Sequence, residues 1–176
     1  MPSGKTHDLI TVLLAVPTFV VAWGVTNSWL LSGVATGATL FGGLMFGPDL
    51  DIHSTQYTRW GVFRFLWLPY QIIFRHRSRW SHGIMFGTLI RVVYFALVLT
   101  LLAVGGIYVR ATFIAGTPPD YGQLLHAWAA IRDGAISYGV GRNALFATFA
   151  GLWWGAAIHT LADVGWSMLR KSTEIF

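Results

Sequence analysis

Residues 9–46, LITVLLAVPTFVVAWGVTNSWLLSGVATGATLFGGLMF, decide the fold of this chain because they contain no charged side chain. A TNS turn at 26–28 divides them into two apolar runs, 9–25 and 29–46, each close to the roughly 20 residues that a transmembrane helix needs. Pro17 lies inside the first run, where we expect a kink rather than an end because neighbouring groups can satisfy the freed carbonyl. The stretch therefore predicts a hairpin of two membrane-spanning helices.

Two further apolar runs, at 82–108 and 143–169, predict spans three and four. Between spans two and three, residues 58–74 mix arginines with Trp, Phe and Tyr, which is typical of a helix lying in the membrane interface. The sequence thus predicts an all-α membrane protein. We expect a bundle of about four transmembrane helices, with one interfacial helix between spans two and three, in a single membrane-embedded domain over residues 1–176.

The composition agrees with a membrane protein. Charged residues make up 11% of the chain and apolar residues 55%, whereas an average soluble domain is roughly 25% charged. The net charge is +5, but the arginines lie beside apolar runs rather than forming a basic helix, so we expect membrane lipids and no nucleic acid as partners. The chain contains no cysteine. A metal site must therefore use oxygen and imidazole nitrogen ligands.

The basic residues predict how the chain is oriented. The apolar run after Lys5 continues to Trp23 without a small-x-small cleavage pattern, so we expect the first helix to be retained rather than removed as a signal peptide. With four spans, one face has Lys5, Arg59, Arg64, Arg75, Arg77, Arg79, Arg170 and Lys171, and the other has Arg110, Arg132 and Arg142. This asymmetry predicts a multi-pass protein with both termini on the cytoplasmic side.

Histidines and aspartates from four segments fall on that same cytoplasmic face. The pair His159 and Asp163 has i, i+4 spacing, which places both side chains on one side of a helix, where they can bind one metal. An ionisable pair inside an uncharged span is costly unless it is paired or coordinated. The expected metal ligands are His7, Asp49, His82, His159 and Asp163.

Other residues near these ligands suit supporting roles. In Asp49-Leu50-Asp51 the two carboxylates can share a cation, or one can bind it while the other holds a histidine in its proper tautomer. We predict that Asp51 or His76 is the general base or an outer partner of a ligand. Arg77 and Arg79 suit an anionic group of a substrate. The expected cofactor is one or two divalent metal ions, with zinc first and manganese or iron as alternatives.

Several of these residues also have ordinary interpretations. His7 can be a terminal residue, Asp49 and Asp51 can end a helix, and an arginine-rich loop is by itself only a sidedness signal. His53 is interpreted as a loop histidine, and His126 lies on the opposite face, where we assign it no metal role. The metal site is favoured because a topology drawn from Lys and Arg alone brings the acidic and histidine candidates together.

Short motifs along most of the chain resemble a known family. They are SGKTHD at residues 3–8, PDLD at 48–51, His76-Arg77, SHG at 81–83, and HTLAD at 159–163. In order and spacing they resemble the YdjM-type membrane-bound metal-dependent hydrolases, and especially their relatives described as uncharacterised metal-binding membrane proteins of cyanobacteria and other bacteria. In that family the fourth motif more often reads Thr-His-Ser. Gly83 stands in the place of that serine and has no hydroxyl, so we assign it no functional role. The resemblance implies metal-dependent hydrolysis at the membrane.

Two functional hypotheses follow. The first is a membrane metal-dependent hydrolase that acts on an ester or phosphoester of a membrane-associated substrate. The second is a non-catalytic subunit of a larger membrane protein complex, in which metal ions join segments that would otherwise pack loosely. Access of water to the metal distinguishes the two hypotheses. A structural site is closed by protein ligands, whereas a catalytic site keeps an open coordination position.

Overall fold

The computed structural model describes residues 3–76, 78, 80–84, 86–114, 116–137 and 141–173, and within them every regular element is helical. The predicted all-α class is therefore confirmed. The α-helices are α1 (Gly4–Leu13), α2 (Ala15–Thr26), α3 (Trp29–Leu44), α4 (Thr55–Thr58), α5 (Leu68–Ile73), α6 (Phe86–Phe113), α7 (Tyr121–Ser137) and α8 (Arg142–Thr173), and 3-10 helices cover Pro48–Asp51 and Gly61–Trp67.

Among the described residues, three helical stretches are long and apolar enough to cross a membrane: Gly4–Thr26, Phe86–Phe113 and Arg142–Met168. Of the four predicted spans, the second is the exception, because α3 ends at Leu44 after 16 residues. That length rises roughly 24 Å, whereas the hydrocarbon core of a bilayer is about 30 Å thick. The helix ends shortly before Gly47-Pro48, where a proline disfavours continuation, and Phe46 beyond its end is 2% exposed.

The first candidate span, Gly4–Thr26, passes through Pro17 without ending there. Helix α1 passes into α2 at Leu14, whose backbone remains in the right-handed helical region. Pro17 has no N–H to donate to the carbonyl of Leu13, which weakens the helix at this point. The chain nevertheless stays helical to Thr26, as the sequence indicated.

The segment between α3 and α6 differs from the single interfacial helix predicted at 58–74. It consists of α4, the 3-10 helix Gly61–Trp67 and α5, because Gly61 takes a left-handed φ of 54°. One side of this segment is core, since Trp67 and Tyr70 are fully buried. They pack in a cluster with Phe46, Leu50 and Tyr57. The other side exposes large apolar residues, namely Val62, Phe63, Phe65, Leu68, Ile72 and Ile73.

Helices α3 and α8 form the most extensive helix pair, and glycines allow their close approach. A Cβ on Gly151 would lie 2.3 Å from the carbonyl oxygen of Ala35, and one on Gly155 would lie 2.2 Å from that of Thr39. Real side chains do not tolerate such distances. The packing brings the C-terminal half of α8 beside the end of α3, where the turn to Pro48–Asp51 begins.

Arg91, the one charge that interrupts the predicted third span, is buried rather than reaching the membrane surface. Its guanidinium donates hydrogen bonds to the carbonyl of Ser81 at 2.7 Å and to the hydroxyl of Thr88 at 3.1 Å. The side chain is 1% exposed. Arg91 therefore fixes the stretch before α6, which contains His82.

Candidate metal centre

The five predicted ligands come together at one end of the bundle. His7 lies on α1, Asp49 lies in the 3-10 helix after α3, and His82 lies just before α6. His159 and Asp163 lie on α8. These four segments are far apart in the sequence, so their meeting depends on the α3–α8 packing and on the buried anchor of Arg91.

One group of candidate ligands joins α1 to α8. His7, His159 and Asp163 offer ligand atoms that lie within 4.8 Å of one another. Nε2 of His7 is 3.3 Å from Oδ1 of Asp163. The two imidazole rings stack with centroids 3.9 Å apart and planes inclined by 13°. His7 and His159 are 5% and 4% exposed, so both rings are held in a nearly closed environment.

A second group joins the 3-10 helix to the segment before α6. Asp49, His76 and His82 also offer ligand atoms within 4.8 Å of one another. Asp49 stands between the two groups, since its Oδ1 is 3.3 Å from Nε2 of His82 and its Oδ2 is 3.3 Å from Nε2 of His159. The single carboxylate therefore contacts both sets of imidazoles.

Asp51 lies behind the second group, with a side chain that is fully buried. Its Oδ1 is 2.9 Å from Nδ1 of His76, a normal hydrogen-bond distance. Its Oδ2 is 3.4 Å from Nδ1 of His82. A carboxylate that contacts the Nδ1 atoms of two histidines leaves their Nε2 atoms for a metal, which is the usual outer-partner arrangement.

The residues present fit a divalent cation. Several buried side-chain atoms make no hydrogen bond to any described residue, among them Nδ1 of His7, Oδ2 of Asp51 and Oδ1 of Asp163. Buried carboxylate oxygens and imidazole nitrogens are costly without partners. This donor set of imidazole and carboxylate suits zinc, manganese or iron and does not choose among them.

Asp49, Asp51 and His82 shift one another's pKa values. Burial alone would raise the pKa of Asp49, but the contacts with His159 and His82 outweigh it and hold that pKa well below its usual value. Burial would lower the pKa of His82, but the carboxylates of Asp49 and Asp51 outweigh it and raise the pKa to about 9. The contacts with His82 and His76 likewise lower the pKa of Asp51 against the effect of burial. Each carboxylate is thus ionised between two imidazoles.

A cavity of about 300 Å³ opens beside the first ligand group. Its wall includes Asp49, His159 and Asp163, and its rim includes His53 and Arg59. Exposed residues of α1 and α4 also line it, namely Gly4 and Thr55. The first ligand group and Asp49 are therefore reachable from the protein surface.

The sequence did not single out two polar residues beside this cavity. Gln56 is buried, donates a hydrogen bond to the carbonyl of Gly43 at 2.7 Å, and lies 3.4 Å from Nδ1 of His159. Arg59 donates to both carboxylate oxygens of Asp8 and to the carbonyl of Leu44. A glutamine within a polar loop gives no sequence signal, whereas Arg59 was noted only for the sidedness of the chain.

The remaining predicted residues divide into two kinds. Arg77 and Arg79, predicted to bind a substrate anion, lie outside the described residues. His53 is an exposed loop histidine that packs on Tyr57, with ring centroids 4.7 Å apart. His126 is exposed on α7.

Replacing Asp51 tests its role behind the histidines. We expect Asp51→Asn to weaken metal binding about 10- to 100-fold, as is typical for loss of an outer carboxylate partner. The amide keeps the shape of the side chain, so the fold should persist. Competition with a chelator of known affinity measures the change, and Asp133→Asn, at an exposed carboxylate on α7, is the control. If both variants bound the metal with equal affinity, Asp51 would not be part of the metal site.

Comparison with known proteins also indicates metal binding. The family described as "Uncharacterized metal-binding protein (DUF2227)" matches residues 2–173. An "Uncharacterized protein" of Aquifex aeolicus (strain VF5) is 39% identical over 56 residues. The match covers 31% of this chain and 39% of that relative, so well under half of the relative's length is represented. No solved structure matches the chain.

Proposed function

The chain belongs to this family of metal-binding proteins, and we propose that it is an integral membrane metal-dependent hydrolase that cleaves an ester or phosphoester of a membrane-associated substrate. We further propose that the protein is related to the YdjM-type membrane-bound hydrolases, which its motifs resemble. The observation that carries it is the cavity of about 300 Å³ beside His7, Asp49, His159 and Asp163. A structural metal site is closed by protein ligands, whereas a catalytic one keeps an accessible side.

The chemistry that a divalent ion supplies in such a site is acidification of a bound water, to a pKa of about 7 for zinc, together with polarisation of an ester oxygen. The protein's own residues would do the rest. The ligand atoms of His7, His159 and Asp163 converge at the cavity wall. The side-chain amide nitrogen of Gln56 lies 3.4 Å from Nδ1 of His159 and would limit the orientations of that ring. Asp51, with no exposed side-chain surface, suits orientation of His76 and His82 better than direct proton transfer to a water.

The membrane-associated substrate is inferred from where the site lies. His7 is on the first turns of the apolar stretch Gly4–Thr26, so the ligands lie at one end of the candidate spans. The segment at 61–73 presents exposed Phe63, Phe65 and Ile72 near Arg64, a mixture suited to the lipid interface. A headgroup or another membrane-partitioned molecule would reach the cavity from this layer. We place the site and both termini on the cytoplasmic side because of the basic-residue asymmetry.

The alternative function is a non-catalytic, metal-joined subunit of a membrane protein complex. The exposed apolar side of the segment at 61–73 favours it, because the same residues would suit docking on another protein. The two functions predict different properties of the purified chain, since only the hydrolase should turn over a substrate with its metal bound.

The test uses the full chain purified in detergent. We expect stoichiometric divalent metal by elemental analysis, and metal-dependent hydrolysis of p-nitrophenyl butyrate or bis-p-nitrophenyl phosphate that a chelator abolishes and metal restores. His159→Ala and Asp163→Ala should each lower metal content and remove hydrolysis, whereas His126→Ala, at an exposed histidine on α7, should leave both unchanged. Bound metal without hydrolysis of either compound would favour the subunit, and metal content unaffected by both ligand variants would refute the site.

A further inference from the structure

The candidate ligands fall into two groups rather than one. His7, His159 and Asp163 form the first, and Asp49, His76 and His82 form the second, each with ligand atoms within 4.8 Å of one another. The 3-10 helix at Pro48–Asp51 contacts both groups through Asp49. A single cation would leave one of these imidazole and carboxylate sets without a partner.

Asp49 is placed to join the groups. One carboxylate oxygen, Oδ1, lies 3.3 Å from Nε2 of His82, and the other, Oδ2, lies 3.3 Å from Nε2 of His159. Each oxygen therefore faces a different histidine on a different segment. This is the geometry of a carboxylate that gives one oxygen to each of two cations.

Three histidine–aspartate contacts of the centre are longer than a typical charge-assisted hydrogen bond and close to the separation of two ligands on one metal ion. Charge-assisted N–H···O bonds are about 2.7–2.9 Å long. Nitrogen and oxygen atoms bound about 2.1 Å from one tetrahedral ion lie about 3.4 Å from each other. His7–Asp163, His82–Asp49 and His159–Asp49 are all at 3.3 Å, so the contacts have the spacing of coordination edges.

The outer partners also divide between the groups. The only His–Asp contact of the site with a normal hydrogen-bond length joins Nδ1 of His76 to Asp51 at 2.9 Å, among the described residues. It leaves Nε2 of His76 for a ligand role. Gln56 instead supports His159 on the other side. A different side chain therefore lies beside each group, Asp51 at His76 and Gln56 at His159.

We propose that the centre holds two divalent cations joined by the carboxylate of Asp49, with His7, His159 and Asp163 on one ion and His76 and His82 on the other, and that its substrate is a phosphoester. Asp51 then orients the histidines of the second position. The inference rests on the proposed function and narrows its substrate class. Two divalent ions against the carboxylates of Asp49, Asp51 and Asp163 leave a positive site. Two-metal sites suit phosphoester cleavage because they stabilise both the attacking and the leaving oxygen.

The metal pair is tested without any reaction. The full chain in detergent is stripped with a chelator, reloaded with Mn²⁺, and examined by elemental analysis and electron paramagnetic resonance. We expect two ions per chain with the exchange-coupled signal of a bridged pair. His76→Ala and His7→Ala should each keep about one ion per chain and give the six-line spectrum of isolated Mn²⁺, and His126→Ala should behave as wild type. One ion per chain in the wild type, or two ions without coupling, would overturn the pair.

The substrate class is tested separately with bis-p-nitrophenyl phosphate and p-nitrophenyl butyrate under the same conditions. We expect kcat/KM for the phosphodiester to fall at least tenfold in His76→Ala. Hydrolysis of the carboxylic ester alone would overturn the phosphoester assignment while leaving the proposed hydrolase intact. If the protein bound a coupled metal pair but hydrolysed neither compound, the proposed hydrolase would be wrong and the metal pair would still be supported. Circular dichroism of the wild type and variants ensures that folded proteins are compared.

Discussion

Asp49→Asn is expected to remove both ions and abolish hydrolysis, the largest functional effect of any single substitution in this chain. The amide has nearly the same shape as the carboxylate, but it has no charge and only one oxygen to offer. In the wild type, one carboxylate oxygen faces His82 and the other faces His159, so the change reaches both ligand groups at once. Loss of a ligand should exceed the roughly 10- to 100-fold effect of losing an outer partner.

Metal content after dialysis, measured by elemental analysis, checks this expectation together with hydrolysis at saturating added metal. Asp133→Asn again supplies the control, since it removes an exposed carboxylate that faces only Arg132. Retention of one full equivalent of metal by Asp49→Asn would show that the carboxylate serves one group only, and retention of two would exclude it as a ligand.

Gly155→Ala is expected to give the largest loss of stability. The new Cβ would lie 2.2 Å from the carbonyl oxygen of Thr39 and 2.6 Å from the backbone nitrogen of Gly43. Neither backbone atom can move without separating α3 from α8, the most extensive helix pair in the fold. We expect a cost of about 3 kcal/mol, at the upper end of the usual range for overpacking. His159 lies one turn further along α8, so metal affinity should fall as well.

Gly165→Ala on the same helix is the matched control, because nothing lies within 4 Å of its Cβ position. Thermal unfolding of the metal-free chains in one detergent compares the two variants. Gly165→Ala should match or exceed the wild-type midpoint, because alanine favours a helix more than glycine does. An unchanged midpoint for Gly155→Ala would mean that the α3–α8 contact is looser than these distances require.

Several features could be predicted from the sequence because they depend on local composition. The uncharged run at 9–46 indicated consecutive apolar helices, and the helix continues through Pro17 as expected. The i, i+4 pair of His159 and Asp163 needed only a helix to lie on one side. That the other candidate ligands lie at the same end of the helices was expected from the topology predicted from Lys and Arg.

Other features could not be predicted, because they depend on which atoms meet across the bundle. Hydropathy placed the end of the second apolar run at Phe46, but α3 ends at Leu44 and Phe46 packs into the aromatic cluster. The predicted helix at 58–74 is divided by the left-handed φ of Gly61. Arg91 could either reach the surface or pair, and the choice depends on the carbonyl of Ser81 being within reach.

The sequence by itself determined that this chain forms apolar helices with histidine and aspartate residues at one end. It could do so because charge, hydropathy and helical period are local properties. Only the tertiary structure decided that the ligands form two groups and that Asp49 stands between them with one oxygen toward each. The reason is physical. The 3.3 Å separations depend on the close backbone contact of Gly155 with Thr39, which lies far away in the sequence, and on the nearer hydrogen bond by which Arg91 holds Ser81 beside His82.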